Sequence, residues 1–397
     1  MVRVAVLCYA ELNGLNGLSY YVKKFKDNED YFYTKGIQLN ICIRGMNENH
    51  VDEKEALQSE LRYVNSTKYK LKQKVIKVLK KLQLGNRIIL KKSGLMPAKE
   101  VVDVYDKEIT SADVVIINDI NTAYYVLKDG LNKKIIYVMH NSGELYGQLF
   151  AQYPGMQKGK VYQFLKELEA EIYKKSTALV FVSETAKKKF ARKHEDYASK
   201  CIYIPVGRED IECKYRHSYD YIHIVTTGTV CRRKNQIALL KAIKKINDPT
   251  IKLTVVGGGP ELDYCKEYVM AHSLQNVEIA GFANDVVEYL DRANLFVSPS
   301  LDEGVPATGV EALRNGLPII ISDVGGCREL IRNNGVLIAP DNQEQLEKAI
   351  LRVCRDKRAL EKMSMESRKL YEERYSLTSM FEKYISLINE IMKDKSL

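Results

Sequence analysis

Short apolar runs, rich in Val and Ile, alternate with longer stretches of helical spacing along the whole chain. Such runs are typical of strands buried in a parallel sheet, and the helical stretches between them fit crossover helices. The pattern predicts six strands in each half of the chain. The predicted strands are 2–7, 37–43, 114–117, 135–138, 178–182, 201–204, 222–227, 251–256, 277–280, 295–298, 318–322 and 336–338.

The alternation of strands and helices predicts an α/β fold of two doubly wound domains. A chain of 397 residues also exceeds the roughly 250–300 residues that one core usually serves. The stretch 206–221 is polar and lacks clear periodicity, which places the domain boundary there. We therefore expect domains at 1–206 and 207–376, followed by a C-terminal helix within 377–397, where apolar residues recur at helical spacing.

The segment 298–326, SPSLDEGVPATGVEALRNGLPIIISDVGG, has the most informative pattern. A strand ends at Ser298, and the following loop contains Glu303. Pro306 suits the first turn of a helix, which should run to about Asn315 with Gly316 just past its end. In an open α/β sheet the N-terminus of such a helix lies where phosphate groups bind.

Glu303 and Glu311 are eight positions apart in this segment, and both could face one crevice. A phosphate beside them would repel carboxylates, so we expect the two side chains to contact hydroxyl groups. Glu311 could hold a ribose and Glu303 a sugar ring. Two glutamates at this spacing are also common by chance, and the flanking residues make the pair specific.

The whole segment resembles the E-x7-E segment of family 4 retaining glycosyltransferases (GT-B fold, glycosyl transferases group 1). The flanking S-P-S, E-G, E-A, G-x-P and G-G elements stand in the family's order. The resemblance covers nearly the whole chain. It implies two Rossmann-like domains facing across a cleft, with the donor on the C-terminal domain and the acceptor on the N-terminal one. It also implies a C-terminal helix that crosses back to the N-terminal domain, and a reaction that retains the anomeric configuration.

Two cations match the family's donor-phosphate position. The stretch HIVTTGTVCRRKN, 223–235, resembles the strand and loop that end in a phosphate-binding lysine, here Lys234, and Arg233 could share that role. Thr229 follows Gly228 where the family often has arginine. Which of Lys234 and Arg233 contacts which part of the donor phosphates therefore stays open. A solvated loop charge is the alternative.

Other positions follow the same resemblance. Gly17 matches a glycine near the diphosphate, and Ala283 belongs to a loop that meets the nucleobase. Pro306 stands where the family commonly has glycine, and it removes one backbone N–H from the site. The donor-binding residues implied are Gly17, Arg233, Lys234, Ala283, Glu303, Val305, Ala307, Thr308 and Glu311.

His140 follows a predicted strand and resembles the family's cleft histidine that contacts the donor sugar. A lone histidine is more often structural, and its place after a parallel strand favours a functional role. Together with Glu303 and Lys234 it completes the implied catalytic set.

The chain lacks the Asp-x-Asp motif and CxxC pairs, so we expect no metal site and no cofactor, with the nucleotide-sugar as co-substrate. Eight scattered cysteines favour a reducing cytosol. No apolar run approaches the roughly 18 residues that a membrane span needs.

Residues 61–99 carry twelve Lys or Arg and no Asp or Glu, while the whole chain has a net charge of +10. Apolar positions within 71–82 fall on one helical face, which suits an anionic membrane surface. A solvated helix packed on its own domain is the alternative. Nucleic acid is disfavoured as a partner, because few aromatic residues are interleaved with the charges. We therefore expect a cytoplasmic protein at the inner face of the membrane.

These observations predict a metal-independent retaining hexosyltransferase that uses a UDP-sugar. Its expected acceptor is a glycan or lipid-linked precursor in cell-surface polysaccharide synthesis. Two alternatives are a nucleotide-sugar epimerase of related fold and a non-catalytic subunit that binds glycans or stabilises a partner.

Overall fold

A computed structural model describes residues 1–12, 17–45, 87–88, 90–128, 130, 133–140, 145–146, 150, 154–212, 221–283 and 285–394. Residues 61–86 and 89 of the predicted basic segment lie outside this set, as do 213–220 of the predicted domain boundary. Within the described residues, no helix combines the length and apolarity that crossing a membrane requires.

The chain forms two compact units. The first comprises Met1–Val182, Ala186–Ile204 and Phe381–Leu397, and the second comprises Ser183–Thr185 and Pro205–Met380. Each unit is built around one parallel sheet of six strands, as the apolar runs predict.

The sheet of the first unit has the strand order β2-β1-β3-β4-β5-β6. β1 continues to Glu11, beyond the predicted end at residue 7, and its register with β2 shifts between Cys8 and Glu11. Only 4–8 are fully buried in this strand, so its last three residues, 9–11, lack this burial. The strands are β1 (Val2–Glu11), β2 (Ile37–Arg44), β3 (Val114–Ile117), β4 (Lys134–Met139), β5 (Ala178–Phe181) and β6 (Cys201–Tyr203).

The sheet of the second unit has the order β12-β11-β10-β7-β8-β9. This is the doubly wound order in which the winding direction reverses between the first and fourth strands, here β7 and β10. The two pair directly, with Leu295 opposite Ile224. The strands are β7 (Ile222–Thr227), β8 (Ile251–Val256), β9 (Val277–Gly281), β10 (Leu295–Ser298), β11 (Ile319–Ser322) and β12 (Gly335–Ile338).

Helices connect the strands and cover the sheets. The α-helices of the described residues are α1 (Gly17–Lys26), α2 (Glu29–Thr34), α3 (Met96–Val104), α4 (Asp106–Ser111), α5 (Ile120–Lys128), α6 (Gly159–Lys175), α7 (Glu184–Lys193), α8 (Gln236–Ile246), α9 (Leu262–Ala271), α10 (Val287–Arg292), α11 (Ala307–Arg314), α12 (Gln343–Arg355), α13 (Lys357–Leu370) and α14 (Leu377–Lys393). Lys91–Leu95 and Tyr371–Tyr375 are π-helical turns that adjoin α3 and α13.

From Phe381 onward, α14 belongs to the first unit. The Phe381 ring lies 4.9 Å from that of Phe32 and 5.5 Å from that of Phe25, measured between centroids. The buried hydroxyls of Tyr21 and Tyr384 share a 2.6 Å hydrogen bond. The predicted return of the C-terminal helix to the first domain is therefore confirmed.

Candidate functional site

The best-formed candidate site lies at the carboxyl edge of the second sheet. β7 and β10 are neighbours at the point where the winding reverses, so the loops that follow them emerge side by side. This switch point is where open α/β sheets bind ligands. The pairing of β7 with β10 brings the loop 228–235 next to the loop 299–306.

The two loops meet through Glu303. Its Oε1 atom lies 2.5 Å from Lys234 Nζ, and its Oε2 atom accepts a 3.0 Å hydrogen bond from Arg233 Nη1. Glu303 and Lys234 are nearly buried, with 7% and 12% of their side chains exposed, whereas Arg233 is 48% exposed. From sequence we expected the cations to meet phosphate and Glu303 to meet a sugar. In this structure both cations pair with the carboxylate of Glu303 instead.

Backbone contacts hold Lys234 and Arg233 in place. The Lys234 amide donates to the Cys231 carbonyl over 2.9 Å, and Asn235 starts α8 in the left-handed conformation, with φ of 57°. The Leu301 amide donates to the Arg233 carbonyl over 2.7 Å, and Arg233 Nη1 donates to the Asp302 carbonyl over 2.7 Å. The cations are therefore fixed relative to the Glu303 loop.

The helix α11 presents its N-terminus at the same edge. Pro306 caps it in an extended conformation, and the Pro306 carbonyl accepts from the amides of Gly309 and Val310. Pro306 thus precedes the helix instead of lying in its first turn, which corrects the sequence prediction. Ala307 and Thr308 are the first helical residues, whose N–H groups have no acceptor within a helix. Those N–H groups suit an anion.

Thr308 lies beside Gly228 and Lys234. A Cβ atom on Gly228 would be 3.6 Å from Thr308 Cγ2 and 3.9 Å from Lys234 Cε, and Gly228 has a φ of 122°. The Thr308 hydroxyl is buried and lacks a hydrogen-bond partner among the described residues. An unpaired buried hydroxyl is costly, so an oxygen of a bound ligand would suit this position.

The Gly-Gly element supports the backbone of the Glu303 loop. Gly325 has a φ of 51°, and a Cβ atom there would lie 1.7 Å from the Glu303 carbonyl oxygen. The Gly326 amide donates to the Gly304 carbonyl over 2.9 Å. Val305 packs against the hydrophobic core of this unit, and a Cβ atom on Gly326 would lie 2.6 Å from Val305 Cγ2.

Glu311 extends from α11 toward a residue that the sequence did not single out. Its Oε1 atom lies 3.6 Å from the Nε atom of Arg208, and 22% of its side chain is exposed. Burial raises the pKa of Glu311, against the opposing charges of Arg208, Arg314 and Lys234. Arg208 lies in the stretch that we assigned to the domain boundary, where no periodicity marks it.

Ala283 follows β9 and packs partly buried against the core of the second unit. The preceding Phe282 is 62% exposed. A Cβ atom on Gly258, in the loop after β8, would lie 3.5 Å from Phe282 Cβ. The loops after β8 and β9 are therefore adjacent.

His140 lies in the first unit, directly after β4. Its Nε2 atom is 3.0 Å from Asn118 Oδ1, and Asn118 Nδ2 donates to the Leu7 carbonyl over 3.2 Å. That bond leaves Oδ1 as an acceptor, so Nε2 carries the proton. The Tyr21 ring meets the imidazole edge-on at 4.7 Å. Burial lowers the pKa of His140 to about 4, so its ring is neutral at neutral pH.

Asn118 and Tyr21 contact His140 within the first unit, and neither was identified from sequence. Gly17 is the first residue of α1, at the carboxyl edge of the first sheet.

Among the side chains that the structure describes, no three or more His, Cys, Asp and Glu are grouped so as to hold a metal ion.

Residues 207–370 match the sequence model of the family described as glycosyl transferases group 1. One relative is the Escherichia coli O-antigen biosynthesis glycosyltransferase WbnH, 34% identical over 115 residues, which are 29% of this chain and 32% of that protein. Another is the Escherichia coli UDP-Gal:alpha-D-GlcNAc-diphosphoundecaprenol alpha-1,3-galactosyltransferase, 28% identical over 42% of this chain and 45% of the relative. The matched stretches thus span less than half of either relative.

Solved structures share the fold of the whole chain. The crystal structure of Anabaena HepE in complex with UDP superimposes with a TM-score of 0.66, covering 98% of this chain and 100% of that one, at 14% identity. The chain therefore shares the fold of that protein.

Proposed function

We propose that this protein is a family 4 retaining glycosyltransferase that uses a nucleotide-sugar, with UDP as its nucleotide. The match of residues 207–370 to the glycosyl transferases group 1 model supports this proposal. The observation that carries the proposal is the meeting of Lys234, Arg233 and Glu303 beside the N-terminus of α11. Two cations and a helix terminus suit a diphosphate, and a carboxylate among them suits sugar hydroxyls.

Donor binding would exchange the partners of these side chains. The diphosphate would take over Lys234 and Arg233, since a doubly charged ligand competes with one carboxylate for them. Glu303 would then be released toward hydroxyls of the transferred sugar. Lys234 would stabilise the charge that builds on the departing diphosphate, with help from Arg233 and the first N–H groups of α11.

The retaining reaction needs no protein nucleophile in this scheme. The acceptor hydroxyl attacks the anomeric carbon, the bond from that carbon to the donor phosphate oxygen breaks, and the leaving phosphate accepts the hydroxyl proton. His140 is neutral and would contribute hydrogen bonding to the sugar instead of charge. In this proposal the domain 1–206 binds the acceptor and the domain 207–376 binds the donor. The C-terminal helix within 377–397 packs back on the N-terminal domain.

The proposed acceptor is a lipid-linked or other surface-polymer precursor. Support comes from the relatives, whose names specify O-antigen synthesis and a diphosphoundecaprenol-linked acceptor. A transferase of this kind would work in the cytoplasm at the inner face of the membrane.

Glu311 provides the test of the donor site. Glu311→Ala should weaken UDP binding about tenfold to a hundredfold, because a charge-assisted hydrogen bond to the ribose is lost. Isothermal titration calorimetry measures this loss. Glu361→Ala, which removes an exposed glutamate of α13, is the matched control. Unchanged UDP affinity in Glu311→Ala would rule out the proposed ribose contact.

A chelator should leave the reaction intact. Lys234, Arg233 and the α11 terminus already supply positive charge for the diphosphate, so no divalent cation is required. Transfer rates measured with and without excess EDTA should agree within error. An activity lost to EDTA and restored by Mg²⁺ or Mn²⁺ would contradict metal independence.

The basic segment 61–99 provides a test of membrane binding. Each Lys near an anionic bilayer contributes on the order of 1 kcal/mol, and salt weakens the attraction. Wild-type protein should therefore sediment with anionic vesicles at low salt and not with neutral ones. Replacing Lys74, Lys77, Lys80 and Lys81 with Gln should reduce sedimentation with anionic vesicles and spare UDP affinity.

The control for this experiment removes the same charge elsewhere, from exposed lysines of the second unit. It replaces Lys241, Lys244, Lys266 and Lys362 with Gln. If control and segment variants lose vesicle binding equally, the segment has no special role in docking.

A further inference from the structure

Arg208 has a defined place beside the candidate donor site. Its Nε atom lies 3.6 Å from Glu311 Oε1, and only 14% of the arginine side chain is exposed. Both side chains are largely withdrawn from water, so water screens the attraction between their opposite charges only weakly.

The backbone of Arg208 is held by three hydrogen bonds. Its amide donates to the Tyr375 carbonyl over 2.8 Å. Its carbonyl accepts from the Leu377 amide over 2.8 Å and from the Tyr371 hydroxyl over 2.9 Å. Gly207 lies so close that a Cβ atom there would be 2.7 Å from Leu377 Cα. The segment 371–377 therefore fixes the backbone position from which the Arg208 side chain extends.

Three cations face Glu311, each from a different element. Arg208 comes from the segment after β6, Lys234 from the loop after β7, and Arg314 from α11 itself. Lys234 is already paired with Glu303 at 2.5 Å. Burial raises the pKa of Glu311, and the charge of Arg208 is the largest influence that lowers it.

We propose that Arg208 is a positioning residue, which orients the Glu311 carboxylate and keeps it an acceptor for the two ribose hydroxyls of the donor. The inference rests on the proposed function of the site and adds a residue to it. An ionised carboxylate accepts from both hydroxyls, whereas a protonated one must donate its own hydrogen. Nucleotide affinity should thus fall once pH drops below the pKa of Glu311, and Arg208 sets where that fall occurs.

Removing Arg208 tests this without any ligand. Arg208→Met keeps the length of the side chain and deletes its charge, so it should raise the pKa of Glu311 by about 1 or more, as loss of a nearby opposite charge does. Carboxyl carbon NMR across a pH titration measures this, with Glu311→Gln identifying the signal. Arg208→Lys should return the pKa toward its wild-type value. An unchanged Glu311 pKa in Arg208→Met would overturn the inference.

UDP binding provides the second readout. Because loss of the Arg208 charge raises the pKa of Glu311, UDP affinity should begin to fall at a higher pH in Arg208→Met than in wild type. In a Glu311→Gln background, Arg208→Met should cost little, because no carboxylate remains to be positioned. An equal loss in both backgrounds would mean that Arg208 contacts the nucleotide directly, and would contradict the positioning role.

The two hypotheses fail differently. If Glu311→Gln leaves UDP affinity at the wild-type level, or UDP does not bind at all, the proposed donor site is wrong whatever Arg208 does. If Glu311 matters for UDP and Arg208→Met leaves both the pKa and the pH profile unchanged, only the role of Arg208 is wrong.

Discussion

Lys234→Met should lower the rate of sugar transfer by about a hundredfold to a thousandfold, as loss of one preorganised charge-stabilising group does. Lys234 Nζ is held 2.5 Å from Glu303 and only 12% of the side chain is exposed, so the cation is already in place before the donor arrives. The effect should fall on kcat, because the charge that Lys234 stabilises is greatest in the transition state. Steady-state kinetics with a saturating donor measure it.

Arg232→Met is the matched control, since Arg232 is an exposed cation of the same loop. It should keep nearly full activity. In Lys234→Met, Glu303 still pairs with Arg233. The variant should therefore stay folded, with only a small fall in melting temperature, although most of its activity is lost. A folded Lys234→Met protein with wild-type kcat would contradict the role of Lys234, and equal losses in both variants would point to net charge alone.

Gly325→Ala should destabilise the second unit by about 2–4 kcal/mol, because the new Cβ atom cannot be accommodated. It would lie 1.7 Å from the Glu303 carbonyl oxygen, and the φ of 51° already disfavours alanine. The Glu303 loop would have to move away from Lys234, so UDP affinity should fall together with stability. Thermal unfolding and calorimetry on the same sample measure the two losses.

Gly304→Ala isolates the steric cause. Gly304 belongs to the same loop, and a Cβ atom there meets nothing within 4 Å. This variant should keep its melting temperature within a few degrees of wild type. If Gly325→Ala were equally stable, the close approach of Gly325 to the Glu303 backbone would not support the site.

Most of the fold could be predicted from the sequence because parallel strands buried on both faces are nearly continuous apolar runs. β10 and β11 are four-residue strands with every side chain buried, and their runs stand out. The extension of β1 to Glu11 could not be predicted in this way, since its last three residues are partly or fully exposed and end with a charged side chain. The resemblance to glycosyl transferases group 1 is confirmed for residues 207–370, which match that family's sequence model.

The site was predictable only in part. Lys234 and Glu303 belong to recognisable segments, and the order of β7 and β10 brings them together. Their direct pairing depends on side-chain positions that no local pattern encodes. Arg208 and Asn118 were missed because each meets its partner only through the tertiary fold.

The catalytic role of the site is tested most directly by following the labelled sugar of a UDP-sugar panel into product, with purified protein and a membrane lipid extract as acceptor. We predict that the label moves into the lipid-extractable fraction with retained anomeric configuration, that UDP is released in equal amount, and that Lys234→Met slows both about a hundredfold to a thousandfold. Conversion of the donor without an acceptor would indicate an epimerase, and binding without turnover would indicate a non-catalytic subunit. Either result would contradict the proposal that this protein is a glycosyltransferase.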